Sequence, residues 1–304
     1  MRHLRSLLFV PGDRPERFAK AAASGADAII LDLEDSVVPA RKADARKAVA
    51  DWLASERDVP AIVRVNPLGS DQIDADIACL RRIAPDAIML PKAEGAESIA
   101  TLDSLLGDLD APIIPIATET PAAIFELGSY RACADRLAGL SWGAEDLPAA
   151  IGAATSREED GRYTAPYELV RSLTLFAAHA AAVPAIDTVF PAIRDESGLA
   201  AYVARAARDG FTAMLAIHPA QVAVINAGFT PGAGEIARAQ AIIAAFADNP
   251  GAGALALDGK MIDRPHLIQA QHVLARAAAS LLPSEGGAFS KAFNRSKPHT
   301  TSSR

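Results

Sequence analysis

The chain has 304 residues, half of them hydrophobic and 22% charged, with a formal net charge of −7. That suffices for a large core in one domain, and the acidic balance offers no basic face for nucleic acid. The apolar run at 7–10 is too short for a secretory core, and no stretch is apolar for long enough to span a bilayer, so a cytoplasmic protein with no membrane partner is expected.

In chain order, short apolar runs fall at 7–10, 28–33, 61–65, 87–90, 112–117, 137–142, 185–190 and 212–217. Their apolarity is continuous, as in strands of a parallel sheet buried on both faces. Helix-like stretches at 40–54, 99–106, 167–182 and 198–207 lie between them, and 234–246 fits a last barrel helix. This alternation predicts a (β/α)8 or TIM barrel over 1–249. A doubly wound open sheet is disfavoured because the first strand–helix turn lacks a phosphate-binding glycine fingerprint. Asn249-Pro250-Gly251 and the Gly/Ala-rich run to Leu257 read as a linker, and a helix over 265–282 follows. Residues 250–283 form a C-terminal helical lid extension, and 284–304, rich in Ser, Thr and Gly, a disordered tail. Cys79 and Cys133 have no metal-type spacing and are expected to be buried free thiols.

Barrel enzymes carry their chemistry at the C-terminal ends of the strands. Here those ends read Pro11-Gly12-Asp13-Arg14, Asp32-Leu33-Glu34-Asp35, Arg64-Val65-Asn66, Pro91-Lys92, Thr118-Glu119-Thr120, Gly143-Ala144-Glu145-Asp146 and His218-Pro219. A structural barrel has no need to gather carboxylates, an arginine and a lysine on one rim. Glu119 and Asp146, on successive strands, can converge on one hard cation that takes its remaining oxygens from water and substrate. Each also has an ordinary reading. Glu119 could be a cap or rim ion pair, Asp146 a helix N-cap, and Lys92 a rim lysine paired to an acid. His218, before a proline, reads as a capping histidine.

The ordered set Arg5-Ser-Leu-Leu-Phe-Val-Pro-Gly-Asp-Arg14, Leu31-Asp-Leu-Glu-Asp-Ser36, Val63-Arg-Val-Asn66, Pro91-Lys92, Thr118-Glu-Thr120, Gly143-Ala-Glu-Asp146, Ala216-Ile-His-Pro219 and Asp258-Gly-Lys-Met-Ile-Asp263 resembles the citrate lyase beta-subunit and malyl-CoA lyase family of the HpcH/HpaI aldolase superfamily. The resemblance runs from about Leu4 to about Leu282 and implies roles residue by residue. Glu119 and Asp146 match ligands of Mg²⁺, with Mn²⁺ as a substitute. Arg64 matches the arginine facing the thioester carbonyl, which could equally pair with Glu34 or Asp35 in the empty site. Phe9, Arg14 and Lys20 match contacts to the coenzyme A nucleotide, against a merely solvated basic edge for Arg14 and Lys20. Glu34 and Asp35 match acids near the metal's water shell. Asp263 matches a catalytic aspartate on a lid exchanged between subunits of a homotrimer or hexamer, and its ordinary alternative is a helix cap.

The activity so implied is Mg²⁺-dependent cleavage or formation of a carbon–carbon bond in a short β-hydroxyacyl-CoA, yielding acetyl-CoA and a 2-oxo acid. Two alternatives stand beside it. One is a citrate lyase beta subunit acting on a carrier-bound citryl thioester. The other is a free-acid class II aldolase, which the resemblance implies would carry a histidine near the end of the second strand, where this chain has Glu34-Asp35.

Overall fold

The computed structural model describes residues 4–280. Its centre is eight parallel strands: β1 (Ser6–Pro11), β2 (Ala28–Asp32), β3 (Ala61–Arg64), β4 (Ala87–Leu90), β5 (Ile113–Pro115), β6 (Leu140–Ser141), β7 (Ala185–Asp187) and β8 (Ala213–Ala216). They pair in the order β5-β4-β3-β2-β1-β8-β7-β6. The end strands β5 and β6 meet through two bridges, Ile113 with Leu137 and Ile116 with Ser141. Hydrogen bonds from Ala138 N–H to the Ile113 carbonyl (2.8 Å) and from Ala117 N–H to the Ser141 carbonyl (2.9 Å) make the closure. The expected barrel is therefore present, with a thin seam between β5 and β6. Proline explains part of that thinness: Pro112 and Pro115 have no N–H to give a ladder, and β5 is correspondingly shorter than the expected 112–117.

The two faces of each strand serve different cores. Leu7, Ala28, Ile30, Ile62, Met89 and Ile114 fill the barrel interior. Leu8, Ile29, Leu31, Val63, Ile88 and Leu90 pack outward against the helices. Neighbours such as Ile29 and Ile30 point to opposite sides because successive strand side chains alternate, so a strand buried on both faces must be apolar throughout. The expected helices are found at Lys42–Leu53, Ala96–Leu106, Ala165–Ala180 and Glu196–Asp209. No helix among the described residues is long and apolar enough to cross a membrane. Cys79 and Cys133 are free but only half-buried, so the expectation of fully buried thiols is corrected.

The C-terminal part departs from the sequence reading in two places. The helix following β8 is Pro219–Phe229, while the helix expected as the barrel's last runs Ala233–Asp248 and buries Ala239 and Ile242 in a separate small cluster with Ile262 and Ala270. The supposed linker contains a strand. β9 (Ala254–Leu257) pairs antiparallel with β10 (Lys260–Asp263), and helix Arg264–Ser280 follows. Asp258 and Gly259 turn the hairpin with φ of 51° and 72°, the two positive values that a type I′ turn requires and that Asp-Gly supplies. In the hairpin register Leu255 lies opposite Ile262, on the face turned to the cluster, and Asp263 lies opposite Ala254 on the other. The expected end of the last helix at 281–282 and the expected disordered tail at 284–304 lie outside the described residues.

Candidate active site

A cavity of about 330 Å³ opens at the C-terminal ends of the strands, lined among others by Phe9, Asp32, Asp35, Arg64, Glu119, Trp142, Gly143, Asp146 and Thr188. Its first half is built from β2 and β3. Register places Asp32 beside Arg64, the last residues of their strands. The guanidinium grips Asp32 with two parallel hydrogen bonds, Nε to Oδ1 and Nη2 to Oδ2, each 2.7 Å. Its Nη1 lies 2.7 Å from Glu34 Oε2, without the alignment of a hydrogen bond, so that buried oxygen has no hydrogen-bond partner among the described residues. Burial alone would raise the Asp32 carboxyl, but Arg64 and the Ser36 hydroxyl hold it below the usual carboxylate range. Burial also opposes the charge on Arg64, and Asp32, Glu34 and Glu119 more than offset this, so the guanidinium is fixed as a cation. The Phe9 ring lies beneath it, 4.8 Å from the guanidinium carbon.

The turn carrying Glu34 is held from below by Lys42. This lysine is buried and donates to the carbonyls of Leu33 (2.6 Å) and Glu34 (2.8 Å) and to Asn66 Oδ1 (2.7 Å). Asn66 in turn donates to Asp76, which pairs with Arg46. A buried ammonium is tolerated only when its donors are satisfied, and here three acceptors do so.

The second half comes from β4, β5 and β6. Glu119 is buried, and its Oε2 accepts the backbone N–H of Lys92 at 2.6 Å. Gly143 sits so close that a Cβ there would come within 2.8 Å of Glu119 Cγ and 3.1 Å of Oε1, so glycine is what lets β6 pass the carboxylate. Asp146 is the first residue of helix Asp146–Ile151, whose N-cap position is held by Glu145. Asp146 Oδ1 lies 3.3 Å from Lys92 Nζ, which also donates to Glu34 Oε1 at 2.9 Å. Burial, with Asp146 and Glu34 nearby, pushes the Glu119 carboxyl up to about 8 despite the Lys92 N–H. Burial likewise raises Glu34. Asp32, Glu34, Glu119 and Asp146 thus face two cations, Arg64 and Lys92, and the crowding of acids is part of what raises Glu119. Thr120 rather than Glu119 caps the next helix, accepting from Ala123 N–H at 3.2 Å.

Trp142 forms a wall. Its Nε1 donates to Asp187 Oδ1 at 2.7 Å, and Arg171 grips Asp187 Oδ2 at 2.8 and 3.1 Å. Tyr202 and the Thr188 N–H complete the bonds to this fully buried aspartate. Every oxygen is satisfied, and the wall is stiff.

The structure thus brings together Phe9, Glu34, Arg64, Glu119 and Asp146. Asp35 lies exposed at the cavity edge, and the arginine's partners are Asp32 and Glu34. Arg14 and Lys20 are exposed and do not line the cavity. Asp263 also stands apart from it, half-buried, with its carboxylate against His266 Nδ1 in the first turn of helix Arg264–Ser280. Lys92 is paired to acids, and His218 caps its helix through Nδ1 on Ala220 N–H (3.2 Å), as their ordinary readings expect. Sequence reasoning missed Asp32, Lys42, Trp142 and Asp187. Only Asp32 had a signal, its position opposite Arg64 on a neighbouring strand.

Comparison with known proteins adds four observations. The family model for HpcH/HpaI aldolase/citrate lyase matches residues 5–219. A citrate lyase subunit beta-like protein of Mycobacterium tuberculosis is 41% identical over 271 residues, 89% of this chain and 94% of its own length. A (3S)-malyl-CoA thioesterase of Cereibacter sphaeroides is 35% identical, covering 90% of this chain and 95% of the relative. Among solved structures, the protein CitE from Mycobacterium tuberculosis in complex with magnesium, acetoacetate and coenzyme A superposes with a TM-score of 0.81 at 37% identity, over 91% of this chain and all of that one.

Proposed function

The chain belongs to the HpcH/HpaI aldolase/citrate lyase family, and from that premise we propose that it is a Mg²⁺-dependent lyase acting on a short β-hydroxyacyl-CoA such as malyl-CoA or citramalyl-CoA. The observation that carries the reading is the pairing at one mouth of an acidic pair, Glu119 and Asp146, with a guanidinium held ready by Asp32. A divalent cation fits this site: four acids crowd one mouth, burial and that crowding hold Glu119 well above its usual range until a further cation joins them, Glu34 Oε2 is a buried acceptor without a hydrogen bond, and Gly143 leaves the space beside Glu119 open. A pair of carboxylate ligands suits an ion that keeps several waters and takes further oxygens from substrate. Glu119 and Asp146 would hold Mg²⁺, whose role when bound is Lewis-acid polarisation of the substrate's hydroxyl and carboxylate.

The protein's own groups do the rest. The substrate hydroxyl gives up its proton to solvent at the cavity mouth, and as the carbon–carbon bond breaks the carbinol carbon becomes the carbonyl of a 2-oxo acid and the bonding electron pair passes to the acetyl-CoA fragment as its enolate. Arg64 donates to the enolate oxygen, a contact worth about 3 kcal/mol in the transition state. Asp263 delivers the proton to the enolate carbon, or removes it in the condensing direction. For that the lid must reach a barrel mouth, and the reading places it over a neighbouring subunit in a trimer or hexamer. The cavity suits a short acyl group, while Arg14 and Lys20, outside it, suit the coenzyme's phosphates.

The test is a coupled assay of purified protein with malyl-, citramalyl- and methylmalyl-CoA, with Mg²⁺ and after EDTA. Release of a 2-oxo acid and acetyl-CoA, lost on chelation and restored by Mg²⁺ or Mn²⁺, supports the reading. Full activity after chelation would sink it. Thioester hydrolysis, the activity for which the Cereibacter relative is named, would show as free CoA and an intact hydroxy acid. Mixing Asp263→Ala with Asp146→Ala subunits tests the exchanged lid: partial recovery is expected, and dead mixed oligomers would rule it out.

A further inference from the structure

Lys92 stands at the end of β4 with a φ of 51°, a left-handed backbone uncommon for a residue with a side chain. The conformation sends its two ends to different acids. The backbone N–H goes to Glu119 (2.6 Å), and the ammonium lies between Glu34 (2.9 Å) and Asp146 (3.3 Å). One residue therefore touches Glu34, Glu119 and Asp146, while Asp32 is already gripped by Arg64. Glu34 and Glu119 are buried, and Asp146 and the Lys92 side chain are each one-third exposed, so the Lys92–Asp146 contact is the part of the cluster that can open.

We propose that the Lys92 ammonium is a built-in counter-cation on Asp146, and that a divalent cation binds by displacing it from there while it stays anchored on Glu34. The inference rests on the reading of Glu119 and Asp146 as metal ligands. Its physical content is competition. Two cations cannot share one carboxylate oxygen without repulsion, and the ammonium must leave Asp146 before the ion can take it. The backbone N–H on Glu119 is unaffected by the exchange, so the buried ligand stays placed while the rim ligand changes partners. Lys92 is here a positioning residue for the metal site, and the flexible stem of lysine suits a contact that must break.

Mn²⁺ titration of metal-stripped protein, read from the electron paramagnetic resonance signal of free Mn²⁺, tests this without turnover. Lys92→Met keeps the backbone donor and removes the charge, and its Mn²⁺ dissociation constant should fall on the order of tenfold. Lys92→Gly removes the same charge and suits the left-handed backbone, so it should tighten binding equally even if the Met variant folds poorly. Lys92→Arg keeps the charge and should stay near the wild type. Unchanged or weaker Mn²⁺ binding in both the Met and Gly variants overturns the inference while leaving the metal reading intact. Absence of saturable binding in the wild type and all variants overturns the metal reading and the inference together.

Discussion

At the barrel mouth, Asp32, Glu34, Arg64 and Glu119 hang from strand ends buried on both faces, and each is tied to at least one further group. Asp263 hangs instead from a two-stranded hairpin that rests on a cluster of Ala239, Ile242, Ile262 and Ala270. An isolated hairpin is marginal in water, and so small a core adds little. The mouth is preorganised before any substrate arrives, as a group that must meet developing charge has to be. The hairpin rests on little and is cheap to move, as the proposed lid, which must admit substrate and then exclude water, has to be.

The contrast can be broken at either end. The largest effect is expected at the mouth: Asp146→Ala should lower kcat by more than about 1000-fold with unchanged circular dichroism, because it removes a proposed metal ligand and no core contact. Residual turnover near the wild-type level would remove the metal pair from the mechanism. Arg64→Lys retains charge but loses the fork that grips Asp32, and should lower kcat by about 100-fold, the value of one oxyanion donor, with folding intact. Near-normal turnover would show that the forked geometry is unimportant.

The lid should respond differently. Ile262→Ala deletes a buried side chain from a small cluster at a cost of about 2–5 kcal/mol. Lyase activity should fall while Mn²⁺ binding and the main thermal transition are retained. A fall in the main transition would mean that lid and barrel unfold as one unit.

The smallest effect is a pH dependence. Burial, Asp146 and Glu34 raise Glu119 to about 8, above its usual carboxylate value, so the folded metal-free protein holds a proton there that the unfolded chain has lost. The resulting stability is fully present below the usual carboxylate range and is lost as pH climbs to about 8. Melting temperatures in EDTA should therefore drop by several degrees between about pH 5 and pH 8.5, and Glu119→Gln should flatten that slope. A slope unchanged in Glu119→Gln would assign it to other groups.

Much of this was legible in the residues. The strands of the barrel are apolar on both faces, so their composition alone distinguishes them from half-exposed strands. Glu119 and Asp146 stood out because successive strand ends share a rim. What could not be read depends on pairing across the sequence. Lys42 lies in a run of charged helical residues that reads as solvated, and its three buried acceptors exist only once β2 and β3 are side by side. The Asp187 network joins residues from strands and helices far apart in the chain. The β9–β10 hairpin was missed for a different reason. Its Ala-Leu alternation is weak beside the surrounding glycines, although Asp258-Gly259 was a sufficient turn signal.

The thin closure between β5 and β6 has a consequence of its own. Glu119 follows β5 and Asp146 follows β6, so the two carboxylates stand on opposite lips of a thin joint in the wall. A particle grasped by both would act as a clasp, knitting the cylinder shut where its ladder is thin. Hydrogen exchange would register this at the amides of Ala117 and Ala138, the donors across that joint. Both should slow on addition of Mn²⁺ more than amides between β1 and β2, where the wall is already continuous.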